Sequence, residues 1–428
     1  MKKVLVVHPG KQHSLRTAGA ILESGQLYKY ITTIYDKKGS ITHCIKKCFG
    51  EKNKKKMNTR KSTEIPDEYV LQYCELRAMF GILLSKVFGL SSVVWHKYNY
   101  YLNDVFGKKV AKYAIKHNVD LIVSYDNNSS LLFETVKKYA PGIQLVLDVS
   151  IANRLYMKNN YIKDIESFGD IKLKDEQRIL WDEDVCLRIK KEMELADHFI
   201  VASTMSRDSL IYSGVRKEKI SIIPYGVDLD KFEYVKKKDA SVPLKMVYVG
   251  QISRRKGLHH LLKYTRDNAG IVSLKLAGDL NTEYDLYKEY SKDSNVEFLG
   301  FVTPDKLAEV YKESDVFVFP TLGEGFGLVV LEALSCGVPV ICSDLAGGND
   351  AITDGVNGFV FKGGSDIDMD QKIQKIINHK VSLPELSENA RQSVEYYTWK
   401  RYRSAVIECI TTLMENSKGK KYEGISCS

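Results

Sequence analysis

Pro320-Thr-Leu-Gly-Glu-Gly-Phe-Gly-Leu-Val-Val-Leu-Glu-Ala-Leu-Ser-Cys-Gly-Val-Pro339 decides how this chain is read. The apolar run before it, Val316-Phe-Val-Phe319, has the length and composition of a buried strand. Pro320 to Gly327 carries glycines at 323, 325 and 327 and reads as a loop. Leu328 to Leu334 contains no breaker and reads as the first turns of a helix. Strand, glycine loop and helix together aim backbone N–H groups and a helix N-terminus at an anion. Glu324 falls in the loop and Glu332 about one turn inside the helix. One carboxylate can then face a reacting group while the other meets a neighbouring polyol.

The same alternation extends in both directions. Val4-Leu-Val-Val7, Val119-Asp-Leu-Ile-Val-Ser124 and Ile143-Gln-Leu-Val-Leu-Asp-Val149 read as strands, with helices expected over Leu15–Glu23 and Ser130–Tyr139. A second set begins at Leu244-Lys-Met-Val-Tyr-Val249 and continues through Val272–Ala277, Val296–Leu299 and Val338–Cys342. Strands alternating with helices predict parallel sheets with right-handed crossovers. At 428 residues there is room for two such domains. The fold class is α/β, with domains expected over 1–224 and 225–395 and the last helices, 396–416, returning to the first. No short-period repeat is visible.

Two glutamates separated by seven residues around Gly-Phe-Gly, followed by Cys336-Gly-Val-Pro-Val340 and Asp354-Gly-Val-Asn-Gly358, resemble the signature of the retaining family-4 glycosyltransferases of the GT-B fold. Pro224-Tyr-Gly-Val-Asp-Leu-Asp-Lys-Phe232 is similar to the family's domain junction. The resemblance is thin over 1–190 and strong from about 195 to 400. It implies two Rossmann-like domains facing across a cleft, the first binding the acceptor and the second a nucleotide-diphosphate sugar, a UDP- or GDP-sugar. By the same resemblance, Glu324, Lys256 and Arg255 are catalytic and Glu332 takes the ribose hydroxyls. Gly250, Gln251, Arg254, Gly278, Phe301, Val302, Gly325, Phe326, Gly327 and Leu328 complete the donor site. Many relatives place an arginine directly after the first glycine of the loop Gly250–Gly257. This chain has Gln251 there, which leaves Arg254 or Arg255 to supply that charge. Cations are disfavoured near a helix N-terminus, so three in Arg254-Arg-Lys256 point to an anionic ligand.

On the acceptor side the resemblance implies Gly10, Lys11, His13 and Arg16, in His8-Pro-Gly-Lys-Gln-His-Ser14, together with Asp148 and Asn153. Asn153 stands where relatives commonly carry a histidine, and an amide cannot serve as a general base near neutral pH. No Asp-x-Asp pair ends a strand, so no metal and no cofactor are expected, arginine and lysine taking the ion's place.

Composition is ordinary for a globular protein, 44% hydrophobic and 27% charged. The charge is uneven: residues 1–150 hold 24 basic and 12 acidic side chains, against +9 for the whole chain. Ten basic residues and only Glu51 lie between Lys37 and Lys61. That run reads as a solvated loop or as a patch for anionic lipid headgroups, at about 1 kcal/mol per basic residue. No nucleic-acid module accompanies it, so no nucleic-acid partner is expected. Met79–Trp95 is the most apolar segment, but Lys86 and two glycines interrupt it, and it reads as a core helix or an interfacial one. The apolar start after Met1 is too short for a signal peptide, and the eight scattered cysteines form no zinc motif. A cytoplasmic protein is expected, peripheral on the inner membrane face if the basic patch binds lipid, and acting on a glycan or lipid-linked acceptor in surface polysaccharide or glycolipid assembly. The alternatives are a nucleotide-sugar epimerase of the same fold and a non-catalytic nucleotide-sugar-binding subunit.

Overall fold

The computed structural model describes residues 2–10, 12–46, 60–89, 92–168, 182–239, 242–280, 285–379 and 381–423. Lys11 and the centre of the basic run, 47–59, therefore lie outside the described residues.

Among the described residues two sheets carry the chain. The first has seven strands, β1 (Val4–Val7), β2 (Leu27–Thr32), β3 (Val70–Gln72), β4 (Leu121–Tyr125), β5 (Gln144–Val149), β6 (His198–Val201) and β7 (Ile220–Ile222), ordered 3-2-1-4-5-6-7. The second has six, β8 (Leu244–Val249), β9 (Val272–Ala277), β10 (Val296–Gly300), β11 (Val316–Phe319), β12 (Val340–Ser343) and β13 (Gly358–Phe361), ordered 10-9-8-11-12-13. Neighbours pair in parallel throughout. Such strands are covered on both faces, which is why they read as unbroken apolar runs. Val4–Val7 and Val316–Phe319 are buried at every position.

Each sheet reverses its strand order once, between β1 and β4 in the first and between β8 and β11 in the second. Ligands of open α/β sheets bind at such a switch point, outside the carboxyl ends of the strands. The loops that emerge there begin at His8 and Asp126 in the first sheet and hold Lys256 and Glu324 in the second.

The chain crosses between domains twice, and the two crossings touch. Val227 N donates to Tyr397 O at 2.9 Å. A Cβ on Gly226 would lie 2.2 Å from Trp399 N, so only glycine fits there. The closing helix, Trp399–Glu423, then packs on the helix Ser14–Glu23. The hydroxyls of Thr17 and Tyr402 share a hydrogen bond at 2.9 Å, and Gln26 Nε2 donates to Thr411 Oγ1 at 3.2 Å.

A third connection is made by the helix Arg154–Phe168, which follows β5 and lies across the second domain. Tyr161 OH donates to Arg255 O at 3.2 Å, and Met157 fills the space beside Gly323. Asp164 accepts from two buried histidines at the start of the helix Leu258–Asp267: His260 Nε2 at 2.6 Å and His259 Nε2 at 3.1 Å. His260 Nδ1 reaches Asp366 at 2.5 Å.

The apolar segment Met79–Trp95 is not one core helix. Gly89, at φ 82°, ends the helix Glu75–Phe88, and a second, Val93–Lys116, starts four residues on. Leu76, Phe80, Leu83, Val87, Phe88, Val93 and Val94 are exposed. The apolar content faces outward because the covered side of the first helix is made by Ala78 and Gly81. Among the described residues no helix is long and apolar enough to cross a membrane.

Candidate active site

The short 3-10 turn Arg254–Lys256 follows β8 and ends at Gly257, where φ is 67° and a Cβ would fall 1.8 Å from Pro320 O. Glycine at 257 therefore lets the cation turn lie directly against the glycine loop after β11. Lys256 is only 7% exposed, and its Nζ meets Glu324 Oε2 in direct contact. Arg255 Nη1 lies 3.8 Å from the same oxygen and 3.4 Å from Gly323 O. Two cations thus converge on one carboxylate at the switch point. Burial, and then the Arg255 charge beside it, hold the Lys256 ammonium well below the usual lysine range. Such a group gains charge stabilisation from an arriving anion.

Of the two candidate arginines, Arg255 is the one beside Glu324, while the Arg254 charge bears on His259 and Tyr290. Gln251 exposes its side chain, whose Oε1 is 3.4 Å from Arg255 Nη2. Gly278 is pinned between Gly250 and the β10 end: a Cβ would lie 1.8 Å from Gly250 O, and its N–H donates to Gly300 O at 2.9 Å. Just beyond, Phe301 is 72% exposed while Val302 packs on the core.

Glu332 sits in the helix Leu328–Ser335, partly buried beside Tyr311, whose hydroxyl is 3.5 Å from Oε2. Burial raises its pKa to about 7, with Lys231 and the Tyr311 hydroxyl opposing. Above that pH it is a carboxylate able to accept from a diol; below it, one oxygen carries a proton. Donor KM should therefore rise as pH falls below about 7. Glu332→Gln should raise KM by the equivalent of about 1.5–3 kcal/mol and flatten that limb. Steady-state kinetics from pH 5.5 to 8.5 check this, and an unchanged acid limb in the variant would contradict it.

The glycine loop is gripped from the first domain. Ser203 Oγ and Ser206 Oγ donate to Gly325 O at 2.6 and 2.9 Å. A Cβ on Gly325 would lie 2.1 Å from Ser150 O and 2.8 Å from Ile151 Cα. Thr204 N donates to Asp350 Oδ2 at 2.7 Å, in the segment after β12. Phe326 stacks edge-on against Tyr225, 5.4 Å between centroids. Gly325→Ala should wedge the cleft open, leaving each domain folded but lowering turnover roughly a hundredfold, the cost of ångström-scale misplacement. Melting curves and kcat measured together check it; full activity would contradict the clamp.

On the facing side, His13 Nε2 is 2.8 Å from Asp148 Oδ2 and 3.3 Å from Tyr225 OH. The pair is nearly buried, and Gly10 N–H donates to His8 Nδ1 at 2.8 Å just before it. Arg16 turns the other way, to Glu64 and to the Trp399 ring at 5.0 Å, at the seam with the closing helix. Asn153 is engaged locally: its Oδ1 accepts from Leu155 N at 2.9 Å, its Nδ2 lies 3.0 Å from Met193 Sδ, and its N–H donates to Ser209 Oγ. The carboxamide thereby caps the first turn of the helix Arg154–Phe168.

The structure brings together Lys256, Arg255, Glu324 and the glycine loop, and on the opposite wall His13 with Asp148. It adds Ser203, Ser206, Tyr225 and Asp350. Of these, Ser203-Thr-Met-Ser206 could have been noticed as a helix cap, but nothing in it announces a partner 122 residues away. Among the described residues, Asp164, His259 and His260 form the one His/acid group able to surround an ion, with ligand atoms within 4.8 Å of one another.

Residues 230–393 match the family model for glycosyl transferases group 1. Capsular polysaccharide biosynthesis glycosyltransferase CapM of Staphylococcus aureus is 29% identical over 255 residues, 54% of this chain and 66% of its own length. The chain thus spans just under two thirds of that curated relative. In three dimensions it is similar to sucrose-phosphate synthase from Thermosynechococcus elongatus, with a TM-score of 0.69 at 18% identity over 97% of this chain and 100% of that one. It is also similar to Anabaena Alr3699/HepE in complex with UDP and glucose, with a TM-score of 0.60 at 16% identity over 96% and 100%. The second domain thus matches the glycosyl transferases group 1 model, and the chain as a whole has the two-domain GT-B fold.

Proposed function

We propose that this protein is a retaining glycosyltransferase that moves a sugar from a nucleoside diphosphate to a hydroxyl of a glycan or lipid-linked acceptor, in surface polysaccharide or glycolipid assembly. The observation that carries the reading is the convergence of Lys256 and Arg255 on Glu324 beside the glycine loop. The nucleotide would lie along the second sheet, its ribose on Glu332 and its base near Phe301 and Val302. The N–H groups of Gly325 to Leu328 and the two cations would hold the diphosphate, and Glu324 the hydroxyls of the sugar. CapM's name places that relative in capsule biosynthesis, and HepE's complex holds UDP with glucose, which agrees with a nucleotide-sugar donor, a UDP- or GDP-sugar.

In the reaction, the anomeric C–O bond to the diphosphate breaks and a bond to the acceptor oxygen forms on the same face. The departing phosphate takes the acceptor proton. Lys256 and Arg255 stabilise the charge that grows on the leaving oxygens. His13, held by Asp148, lies on the acceptor wall and orients the incoming hydroxyl. Incubation with a panel of UDP- and GDP-sugars, following nucleoside diphosphate, tests the reading. Transfer releases one diphosphate per sugar. An epimerase would interconvert sugars with none accumulating, and a binding subunit would do neither.

A further inference from the structure

A second hollow opens at the carboxyl edge of the first sheet, with a volume of about 280 Å³. Its walls combine His8, Arg60, Trp95 and Asn99 with the apolar side chains of Ile34 and Ile82. Among the described residues no aspartate or glutamate lines it. His8 is 5% exposed, and because its Nδ1 accepts from Gly10 N–H, the ring proton of the neutral imidazole sits on Nε2. That Nε2 is buried and makes no hydrogen bond of normal geometry among the described residues, although the Gln12 side chain also bears on the ring. Burial lowers the imidazole's pKa to about 4, so it remains a neutral donor at physiological pH. Arg60 is partly buried, and among the described residues no carboxylate pairs with it. A buried donor without a well-formed hydrogen bond and a half-buried guanidinium without a carboxylate are costly unless a ligand supplies acceptors. An indole and an amide beside them suit the apolar face and the hydroxyls of a pyranose.

The hollow also lies next to the acceptor wall. The rings of His8 and His13 stand edge-on to the same Tyr125 ring, at 5.0 and 5.2 Å. From His13 the contact runs on through Tyr225 to Phe326 in the Glu324 loop. We infer that this hollow receives the acceptor and selects one that carries a phosphate, held by the Arg60 guanidinium and His8 Nε2–H with the sugar against Trp95 and Asn99. The inference rests on the transferase reading above and names the chemistry of its second substrate. Two sources share that chemistry, a free sugar phosphate and a sugar linked through phosphate to a lipid. Phe80 and Leu83, exposed on the helix that carries Ile82, would lie beside a lipid chain.

Equilibrium binding tests it, with no donor present. The probes are glucose 6-phosphate, glucose, inorganic phosphate, and nanodiscs with or without a polyprenyl-phosphate-linked hexose. One phosphorylated probe should bind roughly tenfold to a hundredfold more tightly than glucose and than inorganic phosphate. Preference for the soluble probe assigns the free source, and preference for the loaded nanodiscs the lipid source. Arg60→Gln should abolish the preference and Arg60→Lys retain part of it, with melting temperatures confirming that both fold. Equal binding of glucose, failure of every phosphorylated probe, or an undiminished preference in Arg60→Gln would overturn the inference. Diphosphate release from the donor panel, followed in parallel, reports separately on the transferase reading.

Discussion

Lys256→Ala should lower nucleoside diphosphate release by roughly a hundredfold to a thousandfold, with most of the loss in kcat. That is the range measured when one preorganised donor to a developing oxyanion is removed. The size follows from burial. Lys256 is almost inaccessible and contacts Glu324 directly, so no water can replace its charge. Arg255, more exposed and 3.8 Å from Glu324, should matter less. Arg255→Lys keeps the charge but loses the planar fork, and should cost a smaller factor than Lys256→Ala. Steady-state kinetics with the natural donor check both; an unchanged kcat in Lys256→Ala would remove the phosphate assignment.

The second large effect is on stability. Asp164→Ala should destabilise the contact between the helix Arg154–Phe168 and the second domain by about 3–5 kcal/mol, the cost of removing one partner from a buried charged pair. Asp164 binds His259 and His260, and the His260 ring also reaches Asp366. The pH dependence follows from the two shifts. Burial opposes, but hydrogen bonds and charge from Asp164 and Asp366 outweigh it and raise the His260 pKa to about 9. That stabilisation is complete below the ordinary histidine value of 6.5 and is lost as pH rises through about 9. Burial also opposes ionisation of Asp164, yet its two histidines lower it to about 2, so its contribution is lost only as pH falls through that value. Burial lowers the His259 pKa, with its bond to Asp164 opposing. Wild-type protein should therefore lose stability between about pH 6.5 and 9, and Asp164→Asn should flatten that decline. Denaturant melts across this range measure it; parallel slopes in the two proteins would show that the cluster is not coupled to folding.

The second domain was legible because its chemistry is local. Lys256 and Glu324 each sit in a loop directly after an apolar strand, and β9 and β11 have the bounds their apolar runs predict. In the first domain the signals are weaker. β2, Leu-Tyr-Lys-Tyr-Ile-Thr, carries a lysine and is only partly buried at Tyr28 and Lys29, so it does not read as an apolar run. Met79–Trp95 read as one segment because hydropathy does not register a left-handed glycine at 89. The helix Arg154–Phe168 is polar, and its reason for folding is the second domain, about a hundred residues further on, where Tyr161 and Asp164 find their partners. His259 and His260 were visible immediately behind the cation turn, but a histidine pair shows nothing until the carboxylate opposite it is known. Asn153 illustrates the converse. The resemblance implies a place on the acceptor side, while its contacts with Leu155 N and Met193 Sδ show only in the structure.

Simultaneous measurement of diphosphate release and product stereochemistry tests sugar transfer at the Lys256–Glu324 site most directly. The wild-type protein would be given its preferred donor and a hydroxyl acceptor, with the anomeric proton of the product read by NMR. The expected result is one nucleoside diphosphate per sugar transferred, a product with the donor's anomeric configuration, and loss of both signals in Lys256→Ala. An inverted product, or sugar interconversion without diphosphate release, would contradict it.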